Sequence, residues 1–314
     1  MGPCGSSIER NLDTVSGYHP WGTKLIGREP DASVVLPTFN RDHELKRAID
    51  SVFSQTHSNL ELIVVNDGST DQTSALLDNI DDPRLRVIRG SINRGANWAR
   101  NQGILSARSG VITFLDSDDV YLENKIENVL ALFRAHPKID LIVDSFSLLR
   151  DVQGVVEERM KINPDISEIG PFRAALFERR ISKATTALSV RKAAAIDVGL
   201  FDEELRRRQD FEFVLRFSKS HDCIATSQVL WTKHAGRNSI SANPSTFLEA
   251  TIEICKRNPE YLQRHSDFLY HDLRSHFSKL LRHREWATFL SDAIQYHRHS
   301  DFERSFWRLL LRSS

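Results

Sequence analysis

The sequence predicts an α/β fold: a mainly parallel central sheet with helices on both faces, followed by a helical C-terminal region. Short β-branched segments alternate with segments of helical periodicity between residues 32 and 149. The connections between them are short, which is typical of βαβ units and of a sheet covered on both faces. Strand-like segments end near residue 245, and apolar residues at helical spacing continue beyond it.

Five strands and four helices are predicted in order along the first half of the chain. The strands are 33–37 (SVVLP), 60–65 (LELIVV), 84–90 (RLRVIRG), 111–115 (VITFL) and 140–149 (DLIVDSFSLL). The first helix has Leu45, Ala48, Ile49, Val52 and Phe53 on one face. Further helices are expected near 71–80, over 94–108 and over 126–133, although Gly103 is unfavourable inside the third helix.

These patterns divide the chain into three regions. We expect an irregular N-terminal extension (1–31), one α/β domain (32–245) and a helical region (246–314). From residue 256 to the end, 11 Lys and Arg face 7 Asp and Glu, a net charge of +4 (11 − 7). Three roles stay open for this region: a cap on the domain, a contact with a partner chain such as a second copy, or a peripheral contact with an anionic membrane.

Composition excludes several classes of protein. The 314 residues contain 42 Lys and Arg and 42 Asp and Glu, so no overall positive charge points to nucleic acid. The three cysteines are far apart and form no zinc-binding or disulfide pattern. No apolar run approaches the roughly 20 residues that span a bilayer, and no signal peptide is recognisable. We expect a soluble cytoplasmic protein, with the inner face of the membrane as the alternative location.

Polar clusters follow three of the predicted strands. PTFN comes after the first strand, NDGSTD after the second and DSDD after the fourth. Ligands of open α/β sheets bind beyond the carboxyl ends of the strands, so these clusters should meet at one edge of the sheet. No GxGxxG follows a strand and no GxxxxGK[ST] is present, which disfavours a dinucleotide site and a P-loop.

The DSDD segment ends a buried strand with three carboxylates, Asp116, Asp118 and Asp119. Carboxylates this close repel one another unless a cation lies between them. Mn²⁺ or Mg²⁺ takes one or two carboxylates and completes its shell with water and phosphate oxygens. The plainer interpretation is a turn and an N-cap for the next helix, which Asp also favours.

The ordered set of motifs resembles glycosyltransferase family 2, whose inverting members have the Rossmann-like GT-A fold. The resemblance rests on VVLPTFNR, NDGSTD, NRGANWARNQ, VITFLDSDD, RRRQDFEFVLR and WTKHAGRNSIS, and it covers roughly residues 32–241. It implies a UDP-sugar donor such as UDP-glucose, UDP-galactose or an N-acetyl form. It also implies a glycan or lipid-linked glycan acceptor, a Mn²⁺ or Mg²⁺ cofactor and a role in bacterial surface polysaccharide synthesis.

The resemblance also assigns roles to residues of the donor site. They are Thr38 and Asp67 at the base and ribose, with Asp67 accepting from the uracil N–H; Arg94, Arg100 and Asn101 in the nucleotide and diphosphate pocket; and Asp116 and Asp118 as the DXD motif. Asp116 would contact the ribose or the metal, and Asp118 would bind the metal. Asp119 is expected to cap or orient.

Further roles fall near the acceptor and in a flexible loop. Asp210 matches the catalytic base of the family, although Gln209 stands where the family has a carboxylate, and an N-cap of the following helix is the plainer interpretation. His234 would ligate the metal, and Arg237 and Ser241 would contact the diphosphate as part of a lid.

The implied reaction is a single displacement with inversion at the anomeric carbon, in which Asp210 removes the proton of the acceptor hydroxyl and the metal offsets charge on the leaving group. Two other functions remain open from the residues: a nucleotidyltransferase, which the missing phosphate loop disfavours, and an inactive nucleotide-sugar-binding module, which the retained carboxylates disfavour.

Overall fold

The computed structural model describes residues 29–152, 154–234, 246–299 and 302. Residues 1–28 of the predicted extension, together with Arg237 and Ser241, lie outside these ranges. Within them, no helix combines the length and the apolar character needed to cross a lipid bilayer.

Four parallel strands form the first half of the sheet. They are β1 (Ala32–Thr38), β2 (Leu60–Asn66), β3 (Leu85–Arg89) and β4 (Val111–Phe114), connected through α1 (Leu45–Phe53), α2 (Thr73–Asp78) and α3 (Ala96–Ser106). Their order in the sheet is β3-β2-β1-β4. All residues of β1 and β2 are buried, as expected for parallel strands covered on both faces. The predicted βαβ arrangement is confirmed.

The second half of the sheet is mixed. Its elements are β5 (Val120–Tyr121), α4 (Lys125–Ala135), β6 (Leu141–Val152), β7 (Val155–Lys161), α5 (Ile169–Phe177), β8 (Leu188–Arg191), α6 (Lys192–Asp197), α7 (Gln209–Phe217) and β9 (Cys223–His234). The sheet continues as β4-β8-β6-β9-β5, with β7 paired to β6. The pairings β4–β8, β6–β8, β6–β7 and β5–β9 are antiparallel, and β6–β9 is parallel.

The predicted fold class is confirmed, but the sheet holds more antiparallel pairs than the sequence predicts. The sequence did not predict β7, β8 or β9. The first of these is almost wholly exposed, and the second has four residues, so neither shows a strong strand pattern.

Gly103 explains how α3 lies against β1. A Cβ atom built on Gly103 would be 2.3 Å from Cγ1 of Val35, so no larger side chain fits without a shift of helix or strand. The residue that weakens the helix in isolation therefore permits its close packing on the sheet. One turn earlier on α3, this packing holds Arg100 at the carboxyl end of the strands.

The C-terminal region is helical, as predicted, in its described part. It contains α8 (Phe247–Arg257), α9 (Glu260–Gln263), α10 (Ser266–Arg282) and α11 (Trp286–Arg298). Leu248, Tyr261 and Phe277 belong to the same buried apolar cluster as the strand residues. The ring of Tyr261 lies 5.0 Å from that of Phe177 on α5. The described helices therefore share one core with the sheet.

Candidate functional site

A cavity of about 390 Å³ opens at the carboxyl ends of β1, β2 and β4. Nine polar residues line it, among them Thr38, Asp67, Arg100, Asp116, Asp118 and Lys233 from five segments of the chain. The structure thus brings together the polar segments that follow separate strands, as the sequence predicts. The Thr38 hydroxyl is buried and has no hydrogen-bond partner within the described ranges, so a ligand in the cavity can satisfy it.

Asp67 anchors the loop that leads into α3. The backbone N–H of Arg94 lies 3.0 Å from both carboxylate oxygens of Asp67, and the N–H of Gly95 donates to Oδ2 at 2.7 Å. Gly95 has a φ of 102°, which other residues rarely adopt. The exposed Arg94 guanidinium lies over the ring of Trp98, 5.1 Å from its centroid. Arg94 therefore shapes the cavity through its backbone.

Asn101 faces away from the cavity. Its side-chain amide donates to the Phe201 carbonyl and to Glu203, each at 2.9 Å. Its carbonyl oxygen accepts from the N–H of Phe201, also at 2.9 Å. Because these bonds occupy both ends of the amide, the predicted nucleotide contact is replaced by a different function: Asn101 positions the loop that precedes α7.

Arg100 and Asp116 form a partly buried ion pair in the cavity wall. Nη2 of Arg100 donates to Oδ1 of Asp116 at 2.7 Å, and the Asp116 N–H donates to the Thr186 hydroxyl at 3.1 Å. Burial raises the pKa of Asp116, but the charges of Arg100 and Lys233 outweigh this effect and hold that pKa below its usual value. Asp116 is therefore ionised.

The pKa values of Asp118 and Asp119 shift in the opposite direction to that of Asp116. Burial and the charge of Asp116 raise the pKa of Asp118. Burial raises the pKa of Asp119 to about 7, and its Oδ1 has no partner among the described groups. Its Oδ2 accepts from the Thr186 hydroxyl at 2.7 Å, which orients the Asp119 carboxylate. The surrounding protein therefore stabilises the ionised forms of Asp118 and Asp119 only in part.

Lys233 is a site residue that sequence reasoning missed. Its Nζ lies 3.7 Å from Oδ2 of Asp119. Burial lowers the pKa of Lys233, but the charges of the three carboxylates of DSDD outweigh this and raise it, so the side chain is a stable cation. The antiparallel pairing of Val120 with Thr232 brings Lys233 next to DSDD. The sequence carries no signal for this short pairing.

The residues present fit a divalent cation only in part. Asp116 and Asp118 offer carboxylate oxygens at the cavity, and the raised pKa of Asp118 shows that added positive charge would stabilise its ionised form. Within the described ranges, no three or more His, Cys, Asp or Glu residues group around one point. A metal here would need water and phosphate oxygens to complete its shell, as is usual for Mg²⁺ and Mn²⁺.

His234 ends β9, next to Lys233. Burial and the charge of Arg47 lower its pKa, which favours the neutral imidazole that metals bind. Its predicted role as a metal ligand stays a prediction.

Asp210 lies half-buried at the second position of α7, and its Oδ1 accepts from the N–H of Phe211 at 2.7 Å. Lys183, which the sequence did not single out, places Nζ 4.3 Å from the centre of the Phe211 ring. Burial lowers the pKa of Lys183 to about 8, against the opposing charge of Asp210.

The C-terminal helices hold the turn that presents Asp210. Arg208 has a left-handed φ of 59° and pairs with Asp272 of α10 at 3.1 Å. Its guanidinium lies between the rings of Phe211 and Phe247, 4.8 and 5.1 Å from their centroids. A strained backbone conformation of this kind persists only when neighbouring groups fix it.

Glu212 is the nearest alternative to Asp210, but its side chain is committed elsewhere. It is buried and accepts two hydrogen bonds of 2.9 Å from Arg216. Arg257 of α8 adds a third contact at 3.2 Å. Of these two carboxylates, Asp210 is half-buried and Glu212 is fully buried.

Comparisons with known proteins identify the family of this chain. The model of glycosyl transferase family 2 matches residues 33–185. The putative colanic acid biosynthesis glycosyl transferase WcaA of Escherichia coli K12 is 32% identical over 226 residues, which cover 69% of this chain and 78% of WcaA. The Escherichia coli UDP-Glc:alpha-D-GlcNAc-diphosphoundecaprenol beta-1,3-glucosyltransferase WfgD is 35% identical over 100 residues, 32% of this chain and 40% of WfgD.

A solved structure extends the comparison to the fold. S. aureus TarS 1-349 in complex with UDP-GlcNAc matches with a TM-score of 0.63 and 20% sequence identity, over 79% of this chain and 73% of that chain. The GT-A fold predicted from the motifs is thereby confirmed. The identity with WcaA across most of both chains, together with the family-model match, establishes that this chain belongs to glycosyl transferase family 2.

Proposed function

We propose that the protein transfers a sugar from a UDP-sugar to a hydroxyl of a glycan or lipid-linked glycan acceptor, with inversion, in the synthesis of a bacterial surface polysaccharide. One observation carries the proposal: Asp116 and Asp118 line the same cavity as three cations, Arg41, Arg100 and Lys233. Paired carboxylates beside these cations suit a metal-bound diphosphate, because both signs of charge are needed to hold its oxygens and its ion.

The donor assignment has further support at the base end of the cavity. Asp67 accepts two backbone N–H groups and still has acceptor capacity for a uracil N–H, since a carboxylate offers about four lone-pair sites. The matched TarS structures hold UDP-GlcNAc or UDP, which is consistent with a uridine nucleotide here. UDP-glucose, UDP-galactose and their N-acetyl forms all remain candidate donors.

Mn²⁺ or Mg²⁺ is the proposed cofactor, with Asp118 and Asp116 as its carboxylate ligands and His234 as the predicted third ligand. When bound, the ion would supply positive charge that stabilises the leaving nucleoside diphosphate. Arg100 keeps Asp116 ionised and oriented through its 2.7 Å hydrogen bond. Lys233 adds a fixed cation on the same side of the cavity.

On the acceptor side, Asp210 is the proposed general base. It removes the proton of the acceptor hydroxyl as that oxygen forms a bond to the anomeric carbon and the bond to the diphosphate breaks. Displacement by the acceptor itself inverts the anomeric configuration. WfgD, by its name, acts on a diphosphoundecaprenol-linked sugar, which supports a lipid-linked acceptor and a location at the inner face of the membrane.

The test is a panel of UDP-sugars given to the purified full chain with Mn²⁺, read by thermal stabilisation and by UDP release. One UDP-sugar should stabilise the protein and release UDP, and UDP should bind more tightly than GDP or CDP. Asp118→Asn should lose UDP release and the Mn²⁺-dependent part of the stabilisation, whereas Glu158→Gln, at an exposed carboxylate on β7, should keep both. Pyrophosphate release from a nucleoside triphosphate would instead indicate a nucleotidyltransferase, and binding without turnover on any acceptor an inactive module.

A further inference from the structure

Helix α11 exposes three large apolar side chains in a row. Trp286, Leu290 and Ile294 are 56%, 61% and 53% exposed. They are four residues apart, so they lie one above the other along a single face of the helix. The opposite face carries Phe289 and Tyr296, whose rings pack 5.7 and 6.2 Å from that of Phe277 in the core. A helix packed on one side normally presents polar residues on the other.

The charges around this apolar row are basic. Arg298 lies on the exposed side of α11, Arg282 ends α10, and Arg284 lies in the turn between the two helices; all three are exposed. The acidic residue of the helix, Asp292, is buried on the core side and bonded to His276 at 2.6 Å. Glu285 stands at the N-cap, before the first helical residue. The solvent face of α11 therefore combines apolar and basic residues and has no carboxylate.

We propose that the row Trp286–Leu290–Ile294 with its flanking arginines docks the protein on an anionic lipid bilayer. A helix that lies in the interface buries an apolar face among the lipid chains and keeps cations at the headgroups. Trp is favoured at that depth, because its ring is apolar and its N–H is polar. Each Arg near an anionic leaflet adds further attraction. The inference stands on this surface alone and is independent of the proposed donor and acceptor.

A second exposed apolar surface, on β7, differs from α11 in the charges around it. Strand β7 exposes Val155, Val156 and Met160 at 66%, 66% and 56%. Glu157 and Glu158 on this strand are balanced by Arg159 and Lys161, and Arg159 pairs with Glu157 at 3.0 Å, so β7 offers an anionic bilayer no net positive charge. The β7 surface is therefore an internal control: it has similar apolar exposure and unsuitable charge.

The experiment is co-sedimentation of the full chain with vesicles of phosphatidylcholine, with or without about a third phosphatidylglycerol. The wild type should bind the anionic vesicles, and this binding should weaken as salt rises from about 0.1 to about 0.5 M. Trp286→Ser/Leu290→Ser/Ile294→Ser should reduce binding about tenfold or more, because the apolar area that enters the lipid is lost. Arg284→Gln/Arg298→Gln should reduce it about tenfold through charge.

Two controls keep the result interpretable. Val155→Ser/Met160→Ser should bind vesicles as the wild type does. UDP binding of the α11 variant should stay at the wild-type level, which shows that the domain is folded. Its unfolding temperature should fall only slightly, because Trp286, Leu290 and Ile294 are more than half exposed and the Trp286 ring contacts that of Phe289 with 6.5 Å between the centroids. Absence of wild-type binding, or equal binding by the α11 variant, would overturn the proposal. So would sedimentation velocity that shows a wild-type dimer converted to a monomer by the same substitutions, because a second copy would then cover the face.

Discussion

Nζ of Lys233 lies 3.7 Å from Oδ2 of Asp119, and the Asp119 side chain is fully buried. The two residues come from β9 and from the turn before β5, which pair as antiparallel strands. The contact places a permanent cation beside three carboxylates that would otherwise repel one another. Since Lys233 also lines the cavity, we expect its ammonium group to donate to a diphosphate bound there.

Lys233→Met should therefore weaken UDP binding when no metal is present. The expected loss is about 1.5–3 kcal/mol, the usual range for hydrogen bonds to a charged group. Calorimetric titration with UDP in EDTA measures it. Lys233→Arg should restore most of the affinity, and Lys161→Met, at an exposed position of β7, should have no effect. Unchanged affinity in Lys233→Met would restrict Lys233 to the role of counter-charge for Asp119.

Metal dependence is the second prediction. The charge of Asp116 and burial both disfavour ionised Asp118, so a divalent ion between them should bind and relieve the repulsion. Chelation should abolish sugar transfer, and Asp118→Asn should remove the metal-dependent part of UDP affinity while leaving the part measured in EDTA. Comparing titrations with and without Mn²⁺ separates the two parts. Full transfer activity in excess EDTA would contradict this prediction.

The sequence predicted those features of the fold and the site that depend on local patterns. Asp67, Asp116 and Asp118 directly follow strands with strong apolar periodicity, so their common edge follows from the βαβ topology alone. Lys233 could not be placed in this way. Its position depends on a two-residue strand, β5, pairing with β9, and so short a strand has no recognisable period.

The directions of side chains also could not be predicted from the sequence. Arg94 and Asn101 lie in the predicted segment, but Arg94 stacks on Trp98 and Asn101 binds the loop at Phe201. A motif gives the position of a segment along the chain, whereas the direction of each side chain depends on partners that are distant in sequence. Lys183 was missed for the same reason: it becomes notable only when α7 buries it against Phe211.

The pH dependence of stability tests the environment of Lys183. Burial lowers its pKa from 10.5 to about 8 in the folded protein. Between these two pH values the unfolded chain binds more protons than the folded protein. The free energy of unfolding therefore increases as the pH rises from about 8 to about 10.5. The cost of the buried ammonium is fully present below about pH 8 and is relieved toward 10.5.

Lys183→Met should accordingly be more stable than the wild type near neutral pH, and its advantage should shrink as pH rises. Thermal unfolding of both proteins from about pH 7 to about pH 10 measures the difference, and other titrating groups cancel in the comparison. Lys161→Met should follow the wild-type curve at every pH, because Lys161 is exposed. Curves for Lys183→Met and wild type that stay parallel would show that Lys183 titrates normally.

The last prediction concerns Asp210. The residue sits in the first turn of α7, with one carboxylate oxygen bonded to the N–H of Phe211. Asn can keep that bond and the shape of the side chain, but it cannot take up a proton. Asp210→Asn should therefore fold, with a UDP affinity close to that of the wild type.

Sugar transfer by Asp210→Asn should fall by roughly 10² to 10⁴, the usual contribution of a positioned general base. Single-turnover assays with saturating donor measure the chemical step apart from binding. A matched variant, Glu212→Gln, disturbs the ion pair with Arg216 and should lower thermal stability more than the rate per folded molecule. If Asp210→Asn retains most of its transfer rate on the true acceptor, the residue serves only the helix N-terminus. Because Glu212 is buried and bonded to two arginines, the base would then have to come from the acceptor or from a residue outside α7.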